Sequence, residues 1–320
     1  MRSFQELQQI VQNAFRQISF PEQPELLYAP ITYTLGLGGK RIRPLLVLIA
    51  ADMLDGDLNE CLPAAIGIEL FHNFTLLHDD IMDAAPLRRG KPTVYQKWNS
   101  NIAILSGDTL FATSYQYLLK TKPDNLVQIL EIVNKTAVEV CEGQQYDMDF
   151  ETQDNVSVEE YLNMIRLKTA VLLGASLKCG AIIAGADDNL AQKFYDYGIK
   201  QGLAFQLRDD YLDTFGNVET FGKATGGDIE CSKKTYLYLK ALELAGDEKH
   251  ALKELYQSAS ANKAEKVTQI FKNLKVDINS QELIEKYAAE ADQILLSMNL
   301  APEKLSLLKN FADSLLQRAN

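Results

Sequence analysis

Residues 63–83, PAAIGIELFHNFTLLHDDIMD, decide the fold. The segment is apolar, lacks a two-residue alternation and is too long for a strand, so it predicts one long helix. Pro63 suits the first turn, where its missing N–H would have no partner. The helix ends in Asp79-Asp80-Ile81-Met82-Asp83, and that end is electrostatically adverse. The helix dipole places partial negative charge there, and Asp79 and Asp83, at i and i+4, repel each other on one face. Two unit charges about 4 Å apart at an effective dielectric of ~20 interact by ~4 kcal/mol. A carboxylate cluster beside apolar surface therefore favours a divalent cation, and oxygen-only ligands select Mg2+ over Zn2+.

Helical periodicity extends outward in both directions. Helices are predicted over residues 3–16, 25–35, a stretch after Gly38-Gly39 that includes 45–54, then 101–120, 125–146, 158–184 and 188–213. Four shorter ones fall between residues 232 and 317, and residues 84–93 form a loop. No strand alternation of useful length occurs. The run 170–186, AVLLGASLKCGAIIAGA, is rich in small residues that let two helix backbones approach closely. A length of 320 gives about two domains at ~150 residues each, but no Pro/Gly/Ser linker or charge block divides the chain. The expectation is an all-α fold, one domain over residues 1–320, built as a bundle of many helices around a central cavity.

Composition narrows the functional classes. Hydrophobic residues make up 47% and charged residues 23%, which is globular and excludes disorder. The net charge of −11 opposes broad binding to nucleic acid. Cys61, Cys141, Cys179 and Cys231 form no CxxC pair, so neither a zinc ribbon nor a dithiol site is indicated. The N-terminus lacks the apolar run of a signal peptide and no stretch of ~18 apolar residues occurs, which reads as a soluble, cytoplasmic chain without a membrane span.

The acidic motif has a second copy. Asp209-Asp210-Tyr211-Leu212-Asp213 ends another apolar helix, LAFQLRDDYLD, with the same DDxxD spacing. In a helical bundle two such ends can face one another across a cavity and hold several cations. Basic runs adjoin the acid. Gly38-Gly39-Lys40-Arg41-Ile42-Arg43-Pro44 places Lys40 and Arg43 at i, i+3 in the first turn of a helix, a seat for an anion. It fails the P-loop pattern, because Arg41 stands where Ser or Thr is required. Arg88-Arg89-Gly90-Lys91 follows the first acidic motif, and guanidinium groups bind phosphate oxygens bidentately. Mg2+ with Lys and Arg around it suits a diphosphate. Apolar helices upstream of Asp79, along Leu70, Phe71, Phe74 and Thr75, suit a hydrocarbon tail.

GGKRIRP, LLHDDIMD, PLRRGKPT, RLKTA, FQLRDDYLD and GKATGGD occur in that order within residues 38–233, and through them the chain resembles the trans-isoprenyl diphosphate synthase family. The resemblance implies an all-helical isoprenoid synthase fold, a homodimer, and Mg2+-dependent head-to-tail condensation. The substrates would be isopentenyl diphosphate and an allylic diphosphate: dimethylallyl, geranyl or farnesyl. It further implies that Asp79, Asp83 and Asp209 ligate Mg2+, supported by Asp80 and Asp213, and that Arg88 holds the allylic diphosphate. Isopentenyl diphosphate would meet Lys40, Arg43, His72 and Arg89. Lys168, Thr169, Gln206, Lys223 and Lys233 match positions that touch the allylic diphosphate or line the cation path. The glycine-rich segment 214–232 would close as a lid carrying Lys223.

In that family, side chains four and five positions before the first aspartate limit product growth, and here they are Thr75 and Phe74. With two residues between its acidic ends, the first motif is similar to those of short-chain geranylgeranyl synthases. A C20 product is expected, with farnesyl diphosphate the alternative. Other classes explain less. A metal-dependent phosphohydrolase of the His-Asp type would use His78-Asp79, yet only His72, His78 and His250 exist and the second DDxxD stays unexplained. A non-catalytic subunit of a heteromeric prenyl synthase need not keep both acidic motifs. A terpene cyclase needs no Lys40/Arg43/Arg89 seat.

Overall fold

The computed structural model describes residues 2–216 and 225–316, which are helical almost throughout. In chain order the elements begin with α1 (Phe4–Arg16), α2 (Glu25–Gly36), α3 (Ile42–Met53) and α4 (Leu58–Met82). A hairpin of β1 (Leu87–Arg88) and β2 (Lys91–Pro92) follows, then α5 (Val94–Lys97), α6 (Ser100–Leu118), α7 (Pro123–Thr152) and α8 (Val158–Ile165). A π-helical turn (Arg166–Ala170) leads into α9 (Val171–Ile183) and α10 (Asp188–Phe215). The remainder is α11 (Gly227–Glu230), α12 (Tyr236–Leu244), α13 (Lys249–Gln257), α14 (Lys263–Asn273), α15 (Val276–Ser297) and α16 (Pro302–Leu316). The expected all-α class is observed. No described helix is long and apolar enough to cross a membrane, and all four cysteines are free thiols.

Several boundaries differ from expectation for local reasons. The long acidic-ended helix starts at Leu58 rather than at Pro63, because Asp57 caps it by accepting from the Asn59 N–H at 2.9 Å. The helix expected over 158–184 is broken by the π turn. Segment 84–93 contains the β1–β2 hairpin, whose central residues Arg89 and Gly90 both have positive φ, 52° and 73°. Two-residue strands are too short to leave an alternating pattern. Beyond residue 232 the helices are not all short, since α15 runs for 22 residues.

The chain forms two compact units, Met1–Asn134 with Ala175–Gln192, and Lys135–Gly174 with Lys193–Asn320. In the first, α3 is buried over residues 44–53 and packs against α4, which packs against α6. Burial of one whole helix explains its continuous apolar run, and it needs small neighbours. A Cβ on Gly180 would lie 2.1 Å from the Val47 carbonyl oxygen, so the small-residue run does admit a close backbone approach. A Ser3/Glu6 capping box starts α1, and Arg2 pairs with the buried Asp52 at 2.6 Å.

The second unit is built around Leu203, Ala204 and Leu207 of α10, with Tyr236–Leu239, Leu252, Tyr256, Val267 and Phe271 packed in the same core. The π turn is tightly enclosed there. A Cβ on Gly143 of α7 would meet the Lys168 backbone nitrogen at 2.3 Å, and one on Gly202 of α10 would meet Ala170 Cα at 2.6 Å. The RLKTA motif is thus a helical irregularity pressed between two glycine backbones.

Candidate active site

In the first unit α4 carries Glu69, His72 and Asn73 within one turn, and about two turns further on Asp79, Asp80 and the C-cap Asp83. Arg43 of α3 donates through Nη1 to His72 Nε2 at 3.0 Å. Guanidinium nitrogens only donate, so His72 Nε2 accepts and the imidazole is neutral. Burial first, and then the Arg43 charge, hold its pKa well below the usual histidine value. Burial likewise lowers Arg43 to about 10. Arg89, on the hairpin turn, donates to the Gly38 carbonyl. Gly39 is required for this approach: its φ is 125°, and a Cβ there would stand 2.6 Å from the Arg89 guanidinium carbon.

The register of the basic motif differs from expectation. Arg41, with φ 46°, is the N-cap residue of α3, so Arg43 lies in the first turn while the exposed Lys40 precedes the helix. Arg41 itself covers the Phe15 ring at 4.0 Å. Arg43 therefore contacts His72, Arg89 reaches back to the Gly38 carbonyl, and Lys40 lies exposed just before the helix.

At the acidic end of α4, part of the dipole penalty is met by protein. Arg88 donates from Nε to Asp80 Oδ1 at 2.8 Å and lies 3.5 Å from Asp79 Oδ2. Asp80 is only 4% exposed. Burial raises its pKa, and the Arg88 hydrogen bond opposes that rise. Asp83 caps the helix C-terminus and is exposed. Upstream, Phe74 packs among aromatic rings, 5.7 Å from Phe71, 5.1 Å from Phe111 of α6 and 4.8 Å from His78. Thr75 turns its hydroxyl back to the His72 carbonyl at 2.8 Å.

In the second unit Lys168 and Thr169 sit on the π turn. Lys168 Nζ pairs with Asp147 at 2.6 Å, and Thr169 Oγ1 donates to Gln206 Oε1 at 3.2 Å. Gln206 Nε2 then donates to Asp210 Oδ1 at 3.1 Å, and the Tyr161 hydroxyl donates to Asp210 Oδ2. Asp210 is buried, and burial followed by the Asp228 charge pushes its pKa up to about 8. Asp213 Oδ2 accepts from the Asp228 N–H at 2.9 Å. Asp228 is pushed up to about 6 by burial and then by Asp213, while Lys233 opposes the shift. In both DDxxD copies the middle carboxylate is buried and tied to a side chain, whereas Asp83 and Asp209 are exposed. Lys223 lies outside the described residues, as do the other residues from 217 to 224 of the expected lid segment.

The donor set fits a hard divalent cation. Asp213, Asp147 and Asp209 all push Asp228 upward, so negative charge crowds that carboxyl. Among the described residues no group of three or more such side chains forms a cage.

Four polar groups at these sites are absent from the sequence-based set. Glu69 precedes His72 by three residues, so it shares a helix face with it, and Asp228 closes the GKATGGD motif; both carried a readable signal. Asp147 and Tyr161 carried none, since their partners come from other elements.

Residues 24–274 match the sequence model of the polyprenyl synthetase family. The chain is 43% identical over 223 residues, 69% of either protein, to the geranylgeranyl diphosphate synthase of Methanosarcina mazei. A crystal structure of a geranylgeranyl pyrophosphate synthase matches 100% of both chains with a TM-score of 0.95 at 45% identity. A polyprenyl synthase of Caulobacter crescentus, crystallised with calcium and isoprenyl diphosphate, matches 99% of this chain and 98% of its own with a TM-score of 0.87 at 29% identity. Helices that end in DDxxD, a half-buried Arg43–His72 pair and this coverage lead to one assignment: the chain belongs to the polyprenyl synthetase family.

Proposed function

We propose that this enzyme is a short-chain trans-prenyltransferase that condenses isopentenyl diphosphate head-to-tail with an allylic diphosphate and releases geranylgeranyl diphosphate. The observation that carries the reading is the contact between Arg43 and a neutral, half-buried His72, which lies on the helix that ends in Asp79-Asp80. One helix thereby joins a diphosphate seat, an apolar flank and a metal-binding end.

In this reading Arg43, Arg89, His72 and Lys40 bind the isopentenyl diphosphate. His72 adds no charge and orients Arg43 by accepting its Nη1 hydrogen bond. The allylic C–O bond breaks, and its electron pair leaves with the diphosphate. The isopentenyl double bond attacks the carbocation, and a proton is then lost to the departed diphosphate. Asp79, Asp83 and Asp209, with Asp80 and Asp213 supporting, would hold Mg2+, which supplies positive charge to the leaving oxygens. Arg88 and Lys233 add fixed positive charge for the allylic diphosphate. Lys168, Thr169 and Gln206 line the cation path, and the Asp147 pairing holds Lys168 on the π turn. Exposed Leu105, Leu119 and Val127 supply apolar surface for a homodimer.

Phe74, wedged among Phe71, Phe111 and His78, closes the space for the growing chain. Sizing the products by chromatography tests this. The wild type should stop at C20, and Phe74→Ala should yield longer products. A C15 stop would make the enzyme a farnesyl diphosphate synthase, and an unchanged length in Phe74→Ala would remove Phe74 as the limit.

A further inference from the structure

Lys263, the first residue of α14, is only 2% exposed. Lysine is almost never fully buried without a paired charge, yet among the described residues its ammonium meets a carbonyl, a hydroxyl and a ring rather than a carboxylate. Its ammonium donates to the Glu230 carbonyl at 3.2 Å and to Ser232 Oγ at 2.7 Å, and stands 5.5 Å from the Tyr256 ring centroid. Ser232 has a positive φ of 56° and donates its own hydroxyl to the Tyr256 carbonyl at 2.8 Å. The Tyr256 hydroxyl donates to the Lys233 carbonyl at 2.6 Å, and its ring stacks on Tyr238 at 3.8 Å. Glu230 Oε1 accepts from the Ala264 N–H at 3.2 Å.

These bonds converge on one short segment. It begins with Asp228, whose N–H binds Asp213 Oδ2, and closes on the Lys233 N–H, which donates to the Asp228 carbonyl at 2.8 Å. We infer that Lys263 is a positioning residue: with Ser232 and Tyr256 it locks the 228–233 turn so that Asp228 and Lys233 are presented to the second acidic motif. The inference rests on the prenyl-transfer reading, in which Lys233 serves the allylic diphosphate. A core position that only filled space would take Leu or Met at less cost than a desolvated ammonium. Here the charge instead supplies donors for a turn whose backbone is strained at Ser232.

The test is steady-state kinetics of wild type, Lys263→Met, Ser232→Ala and the double variant, with melting temperatures measured in parallel. The KM for the allylic diphosphate should rise about tenfold in Lys263→Met, the scale of a lost charge-assisted hydrogen bond. The KM for isopentenyl diphosphate should stay within about twofold, because its seat uses other residues. Ser232→Ala should shift the allylic KM in the same direction. The double variant should be no worse than Lys263→Met, as expected for residues acting through one contact. An allylic KM within about twofold of wild type in both single variants, whatever the melting temperatures, overturns the inference while leaving the prenyl-transfer reading intact. If Lys263→Met does not fold, Ser232→Ala alone decides by the same criterion. A wild type that condenses nothing overturns both.

Discussion

Asp79→Ala and Asp209→Ala should each lower turnover about 1,000-fold while the helical circular dichroism stays at the wild-type level. The magnitude follows from chemistry in which the leaving group carries away the electron pair: removing one preorganised electrostatic contact commonly costs about 100- to 1,000-fold, and metal stabilisation adds several kcal/mol. Retention of fold follows from position. Carboxylates at a helix C-terminus oppose the dipole, so removing Asp79 relieves α4 rather than weakening it. Arg88 keeps its closer partner, since its bond to Asp80 at 2.8 Å is untouched. Asp209 is exposed, and the buried network of Tyr161, Gln206 and Asp210 beside it remains complete. Near-normal turnover in either variant would remove that motif from the chemistry.

Arg43→Met should raise the KM for isopentenyl diphosphate about 100-fold, with a smaller effect on kcat. Charge-assisted hydrogen bonds contribute ~1.5–3 kcal/mol each, and tenfold in affinity corresponds to ~1.4 kcal/mol. Methionine keeps most of the buried volume. The loss of charge has a structural consequence too, because Arg43 is the largest of the three positive influences that oppose burial of Glu69, ahead of Arg41 and Arg89. Without it the Glu69 carboxyl shifts further toward its protonated form. Asn73 still donates to the Glu69 carbonyl at 2.7 Å, so the local helix face should persist. Parallel KM values for the allylic substrate separate the two seats: that value should change little. An equal rise for both substrates would show that Arg43 is structural rather than part of one diphosphate seat.

The parts of the fold legible in the sequence are those where one helix carries its own signal. Residues of α4 and α10 read clearly because a long apolar run ends abruptly in DDxxD. The Lys263–Ser232–Tyr256 lock, by contrast, joins residues from three segments with no shared spacing, and nothing local distinguishes Lys263 from a surface lysine. The π turn at RLKTA was hidden for a related reason. Apolar periodicity continues through Ala170 and Val171, and the irregularity is seen only where Gly143 and Gly202 bring their backbones against it. Asp57 outweighed Pro63 as the helix start because a side-chain cap satisfies a free N–H, whereas proline only avoids wasting one. Placing Arg88 on Asp80 needed the positive φ of Arg89 and Gly90 to turn the hairpin back. The sequence marked these arginines as cations beside acid, but the division of labour between Arg88 and Arg89 is a property of that turn.

In the proposed reaction the aspartates of the two DDxxD motifs would hold Mg2+, which would supply positive charge to the departing diphosphate. The most direct measurement is the rate of condensation of isopentenyl diphosphate with an allylic starter in the untreated enzyme, after exhaustive chelation, and after Mg2+ is restored. Synthesis of a C20 diphosphate that stops on chelation and returns with Mg2+ is the predicted result. Undiminished synthesis in the chelated enzyme would contradict it.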